Sequence, residues 1–202
     1  MLLRDHRESP VTVVLREEEV YAGAISLIHE RLFNKICVYA PAGMWQVSQH
    51  KPKWLKALAA HLKKRENAEA LMVFGVPYWQ DGLNYMERTL SVCDGHPAIS
   101  IRYIPPVKGI DPVPTVSMIV FDTDIVAVGF GIRQKMEKVD AAWSISEKQA
   151  AQVAYDWFQK IWSEHNTYEL QIPNRMSFSE GFSIMQKRYA DQLCEKRSLP
   201  VL

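Results

Sequence analysis

Short apolar runs alternate with amphipathic stretches through most of the chain. Nearly continuous or β-branched apolar runs are typical of strands, whereas apolar residues three or four apart are typical of helices. The pattern predicts the order βαβαβαβ, then a two-stranded hairpin, then two helices. Strands are predicted at 11–15, 35–40, 70–76, 98–104, 115–121 and 125–132, and helices at 17–33, from Pro52 onward, and at 78–93, 146–165 and 177–196.

The alternation of strands and helices defines the expected fold class. It favours an α/β protein, and the late hairpin makes its sheet mixed, because the two strands of a hairpin run antiparallel. We therefore expect a mixed β-sheet sandwiched by helices in a domain spanning residues 1–166, with a C-terminal helical extension at 167–202. The polar segment 134–143 is predicted to be a loop, and Ser146 with Gln149 is predicted to cap the helix that follows.

The predicted hairpin carries the most informative sequence, PTVSMIVFDTDIVAVG at residues 114–129. Its spacing, Thr115-x-Ser117-x4-Asp122, resembles the H-x-K-x4-D motif of the phospholipase D-like superfamily, and the order of elements fits over about residues 11–165. The resemblance implies a single phospholipase D-like repeat. In that family the His is the nucleophile that forms a phosphohistidine, and the Lys helps to hold the phosphate.

Two departures from the family motif determine the expected function. Thr115 stands in place of the His, and a hydroxyl is a poor nucleophile without an adjacent base. Ser117 stands in place of the Lys and carries no charge for a phosphate. The resemblance therefore implies a non-catalytic ligand-sensing or protein-interaction domain with a regulatory role, in which Thr115, Ser117 and Asp122 line the ligand-binding cleft and no residue is catalytic. An unrelated α/β domain in which Asp122 only forms the turn is the alternative.

Two arginines beside the motif are candidate accessory residues. Arg102 lies on the strand before the hairpin, and Arg133 follows it directly. Either side chain is expected to reach the cleft, and the alternative for both is an exposed surface position.

The segment 50–65 is locally basic, with candidate binding residues Lys53, Lys56, Lys63 and Lys64. It would suit a phosphate or an acidic partner. The favoured interpretation is a solvated outer helix face, because long Lys side chains commonly cover such faces. Nucleic acid is therefore a less favoured partner, and a phosphodiesterase or nuclease with a rearranged active site is a further alternative function.

Charge and cysteine content restrict the remaining classes. Lys and Arg total 24 against 23 Asp and Glu, which argues against binding to nucleic acid or a membrane through bulk charge. Three scattered cysteines fit a reducing compartment, and we expect a cytoplasmic protein with no metal, no cofactor and no membrane partner. The resemblance also implies a homodimer with a symmetric interface near residues 115–132, and the remaining expected partner is a protein or a small-molecule effector.

Overall fold

The computed structural model describes residues 11–14, 17–41, 51–75, 88–93, 95–104, 116–130, 141–163 and 168–169. The chain divides into two units, Met1–Glu169 and Leu170–Leu202, and every described residue belongs to the first unit. The predicted domain border at residue 166 stays a prediction, as does the final helix at 177–196.

A mixed sheet of eight strands forms the centre of the described part, in the order β1-β7-β6-β5-β2-β3-β4-β8. Strands β2, β3 and β4 run parallel to one another, and every other pairing is antiparallel. The strands are β1 (Val11–Val14), β2 (Lys35–Pro41), β3 (Glu69–Gly75), β4 (Ile99–Ile104), β5 (Val116–Phe121), β6 (Ile125–Phe130), β7 (Ala141–Ile145) and β8 (Tyr168–Glu169).

Helices cover both faces of this sheet, as the hydrophobic pattern predicts. The helices are α1 (Glu17–Glu30), α2 (Lys51–Lys63) and α3 (Lys148–Ser163), and residues 88–92 are also helical. Alternate residues of β5 point to opposite faces. Phe121 packs against Trp54 of α2, whereas Val120 belongs to a buried cluster with Phe158 of α3. The α1 and α2 helices thus lie on one face and α3 on the other.

The buried face of α2 joins it to α1. Trp54, Leu58 and Leu62 recur at helical spacing and are almost fully buried. His61 shares this face, and its two ring nitrogens lie 3.2 Å from the carbonyl oxygen of Ile28 and 3.0 Å from that of Phe33. These contacts hold α2 against the C-terminal end of α1.

The structure corrects two sequence predictions. The segment predicted to be a polar loop at 134–143 ends inside a strand, because β7 begins at Ala141 and pairs with both β1 and β6. The N-terminal cap of α3 is Glu147 rather than Ser146. The backbone N–H groups of Gln149 and Ala150 donate to the Glu147 carboxylate at 3.0 and 2.8 Å, which satisfies amides that have no partner within the helix.

Candidate functional site

Ser117 lies on the interior strand β5, at the end of the sheet where the neighbouring strand β2 has its C-terminus. Its neighbour Met118 pairs with Tyr39, near the C-terminal end of β2. Ser117 Oγ donates a long hydrogen bond of 3.4 Å to the carbonyl oxygen of Gly129 on β6. Ser117, which the resemblance aligns with the family's Lys, is therefore half-buried, and its own sheet supplies its hydrogen-bond acceptor.

A cavity of about 40 Å³ lies beside Ser117, between the sheet and the helices α1 and α2. This space holds roughly three water molecules at ~10–15 Å³ each. Its lining is mostly apolar, and its polar side chains are those of Ser117, Lys51 and two tyrosines. The remaining lining comes from Val20, Tyr21, Val38, Tyr39, Ala40, Trp54, Met118, Ile119, Ala127, Val128, Gly129 and Ala142.

Lys51 is the functional candidate that sequence reasoning missed. It lies in the basic segment 50–65, yet its side chain is only 6% exposed and lines the same cavity as Ser117. A signal for this position was present in the sequence. Lys51 precedes Trp54, Leu55 and Leu58 at helical spacing, so it falls on the apolar face of α2.

The chemistry of the cavity suits a small anion. Lys51 and Ser117 both line the cavity, and Lys51 begins α2, whose N-terminal amides carry a partial positive charge. The described lining residues include no imidazole, carboxylate or thiol. The cavity thus lies beside groups that can donate hydrogen bonds to an anion.

The structure places Asp122 at the other end of β5, roughly 16 Å from Ser117 at ~3.3 Å per residue. Its carboxylate accepts the backbone N–H of Lys35 at 2.7 Å and that of Asn34 at 3.1 Å. Its φ of 49° lies in the left-handed region, which Asp tolerates better than most residues. These contacts favour the turn-forming alternative for Asp122, and the structure does not bring this residue together with Ser117.

Arg102 lies on the face of the sheet opposite Ser117. Its guanidinium donates to the carbonyl oxygen of Trp162, near the end of α3, and lies 4.6 Å from the centre of the Trp162 ring. The expected reach of Arg102 into the cleft is therefore not seen, and its contacts join β4 to α3. Thr115 and Arg133 lie outside the described residues, so their predicted roles stay predictions.

The four predicted basic residues, which lie along α2 and just beyond its end, are placed as expected. Lys53, Lys56, Lys63 and Lys64 are all exposed, on the side of α2 opposite its buried residues. This arrangement is the predicted solvated outer face. It is separate from the cavity that Lys51 lines.

Buried ionisable groups elsewhere in the sheet are unsuited to nucleophilic chemistry. Burial raises the pKa of the Cys37 thiol to about 12, and burial also raises the pKa of the Tyr39 hydroxyl. Both groups keep their protons at neutral pH, and a thiol attacks as the thiolate. The described residues contain no group of three or more His, Cys, Asp or Glu side chains that could hold a metal ion.

Comparisons with known proteins identify the fold. No protein-family model and no curated protein matches the sequence. Among solved structures, the chain is similar to TrmBL2, an archaeal chromatin protein, with a TM-score of 0.53 and 11% identity over 80% of this chain and 54% of that one. It is also similar to phosphatidylserine synthase from Haemophilus influenzae, with a TM-score of 0.52 and 13% identity over 91% of this chain and 47% of that one.

These likenesses show a phospholipase D-like α/β fold, as the hairpin sequence predicts. The chain spans about half the length of each of the two proteins. None of the helices in the described ranges combines the length and the hydropathy that a membrane crossing requires.

Proposed function

We propose that this chain is a non-catalytic regulatory domain that senses a small anionic effector in the cavity between Ser117 and Lys51. The observation that carries the proposal is the position of Lys51. It is buried, it lines the cavity, and it lies beside the residue that replaces the phosphate-holding Lys of the family.

The fold alone does not decide between catalysis and binding. One structural neighbour is described as a chromatin protein with a novel mode of DNA binding, and the other is a synthase. Function therefore has to be argued from the site. Here the replacement of the family's His by Thr115, together with the described lining of the cavity, supports binding without bond cleavage.

Geometry also favours an anion over a neutral ligand. An anion in the cavity would accept charge-assisted hydrogen bonds, which a neutral ligand would not. Charge-assisted hydrogen bonds of this kind are worth about 1.5–3 kcal/mol. The small volume of the cavity suits a compact group such as a phosphate.

Isothermal titration calorimetry with inorganic phosphate tests this proposal. The wild-type chain should bind phosphate, and Lys51→Gln should weaken binding roughly tenfold or more, because one charge-assisted hydrogen bond is lost. Lys51→Arg should restore much of the affinity, since it returns the positive charge.

Lys53→Gln is the matched control, because Lys53 lies two residues away on the exposed side of α2. Its affinity for phosphate should equal that of the wild type. Absence of phosphate binding in the millimolar range, or equal weakening by Lys51→Gln and Lys53→Gln, would contradict the proposal. Ser117→Ala gives a second route if Lys51→Gln does not fold, and it should also weaken binding.

A further inference from the structure

The exposed side of α2 presents a row of positive charge, defined here as the lysine face: Lys53, Lys56, Lys63 and Lys64. All four side chains are exposed. At 100° per residue they fall within an arc of roughly 100°, and at 1.5 Å per residue they span roughly 16 Å along the helix axis. The lysine face is therefore long enough to meet several successive phosphates of one nucleic-acid strand, at ~3.4 Å along the duplex axis.

Little negative charge lies close to these lysines in sequence. No Asp or Glu occurs from Arg31 through Arg65. Glu66 follows directly and is exposed, so the local positive field comes from the segment that ends at Arg65, while the whole chain carries a formal charge of only +1. Such a local field attracts polyanions that the net charge would not.

The composition of the lysine face argues against an anionic membrane and against an acidic protein as its partner. The apolar residues of α2, including Trp54, Leu55 and Leu62, are buried against the sheet and α1. Helices that bind anionic membranes place large apolar residues at the surface beside their lysines, and protein interfaces need a central apolar or aromatic anchor. The lysine face has neither feature.

The positions of exposed aromatic residues favour binding of duplex over binding of single-stranded nucleic acid. Proteins that hold single strands stack the bases on exposed aromatic side chains. The exposed aromatic side chains in the described part of the chain are Trp143 and Trp157, and neither belongs to α2. The lysine face has no aromatic side chain for base stacking and no Arg for bidentate hydrogen bonds to base edges. Its ammonium groups therefore suit contacts with the phosphate backbone.

From these observations we propose that the lysine face binds the phosphate backbone of duplex nucleic acid without sequence preference. This interaction is independent of the cavity at Ser117 and Lys51, because the four side chains of the lysine face point away from the sheet. Neutralising about three phosphates at ~0.9 per contact gives a slope of log affinity against log salt near −2.7. Binding should then weaken about sixfold for each doubling of the salt concentration.

Fluorescence anisotropy of a labelled 20-base-pair duplex, titrated with the full chain between 25 and 200 mM KCl, tests the inference. For the wild-type chain, the slope of log affinity against log salt should be near −2.7. The double variant Lys53→Gln/Lys56→Gln should lose about two units of slope, at roughly one unit per phosphate contact. The matched double variant Lys148→Gln/Lys160→Gln removes two exposed lysines from α3 and should behave as wild type.

Circular dichroism melting should show both double variants folded, because all four lysines are exposed. Three outcomes would overturn the inference: no anisotropy change at 25 mM KCl with 20 μM protein, equal losses in both double variants, or binding to anionic vesicles or polyglutamate as tight as to the duplex. Phosphate binding at Lys51 is measured separately by calorimetry. A failure of duplex binding therefore leaves the proposed function standing, and a failure of phosphate binding leaves the duplex inference standing.

Discussion

At the scale of single residues, two side chains have surroundings that the sequence did not suggest. Asp122 occupies the motif position that suggested a ligand contact, yet its carboxylate accepts the amides that begin β2. Lys51 looked like one of several surface lysines, yet it lines the cavity. The direction of each side chain depends on contacts between distant segments, which residue type and spacing do not record.

Replacing Asp122 should test its structural role. Asp122→Ala removes the acceptor for two backbone N–H groups and places a less tolerant residue at φ 49°, so the free energy of unfolding should fall by about 2 kcal/mol. Asp122→Asn keeps one acceptor oxygen and tolerance of the left-handed region, and should cost under about 1 kcal/mol. Urea unfolding measures both values, and a loss below about 0.5 kcal/mol for the Ala variant would argue against this role.

Cys37 gives the fold a predictable pH dependence. Burial raises the pKa of its thiol from the ordinary value of 9.0 to about 12, so the thiol ionises more readily in the unfolded chain. Its contribution to stability is complete below pH 9 and is lost as pH rises from 9 toward 12. At pH 10.5 the loss should be about 2 kcal/mol relative to pH 7.5, at ~1.4 kcal/mol per pH unit.

Urea unfolding of wild type and Cys37→Ala at pH 7.5 and pH 10.5 checks this dependence. The Ala variant has no thiol to ionise, so the gap between the two proteins should narrow at high pH. A gap that stays constant would show that the thiol does not govern stability in this range.

At the scale of elements, apolar periodicity predicted most strands and helices of the described ranges. The strand β7 was missed because its sequence, AAWSI, is short and follows a polar stretch. Its strand conformation depends on pairing with β1 and β6, which no local pattern records. The cap of α3 was placed one residue early, because Ser146 and Glu147 both precede the helix and only the hydrogen bonds show which one caps it.

The corrected cap makes a direct prediction. Glu147→Ala should lower the free energy of unfolding by about 1 kcal/mol, since two N–H groups at the start of α3 lose their acceptor. Ser146→Ala is the matched control and should change stability by less than about 0.3 kcal/mol. Thermal or urea unfolding distinguishes the two, and a larger loss for Ser146→Ala would restore the cap predicted from the sequence.

At the scale of the whole molecule, the order of strands could not be derived from the sequence. The hairpin strand β5 pairs with β2, a contact between segments about 80 residues apart, and this pairing places Ser117 beside the start of α2. Strands β5 and β6 are therefore interior strands, paired on both sides. The resemblance supplied the fold class, and the cavity depended on this long-range pairing.

The expected homodimer follows from the resemblance and remains our proposal. Because β5 and β6 have no free edge, an interface near residues 115–132 would use the ends and loops of these strands rather than strand pairing. Multi-angle light scattering at micromolar concentration should give twice the mass of one chain. A monomer across that range would contradict the proposed dimer.

The central claim is that this phospholipase D-like fold binds an anion without cleaving a phosphodiester. Hydrolysis of bis-p-nitrophenyl phosphate by the purified chain tests that claim most directly. The account predicts release of nitrophenol at the uncatalysed background rate, unchanged by Lys51→Gln or Ser117→Ala. Turnover above background that is lost on Lys51→Gln, or on Asp122→Asn in a folded protein, would show a rearranged active site and contradict it.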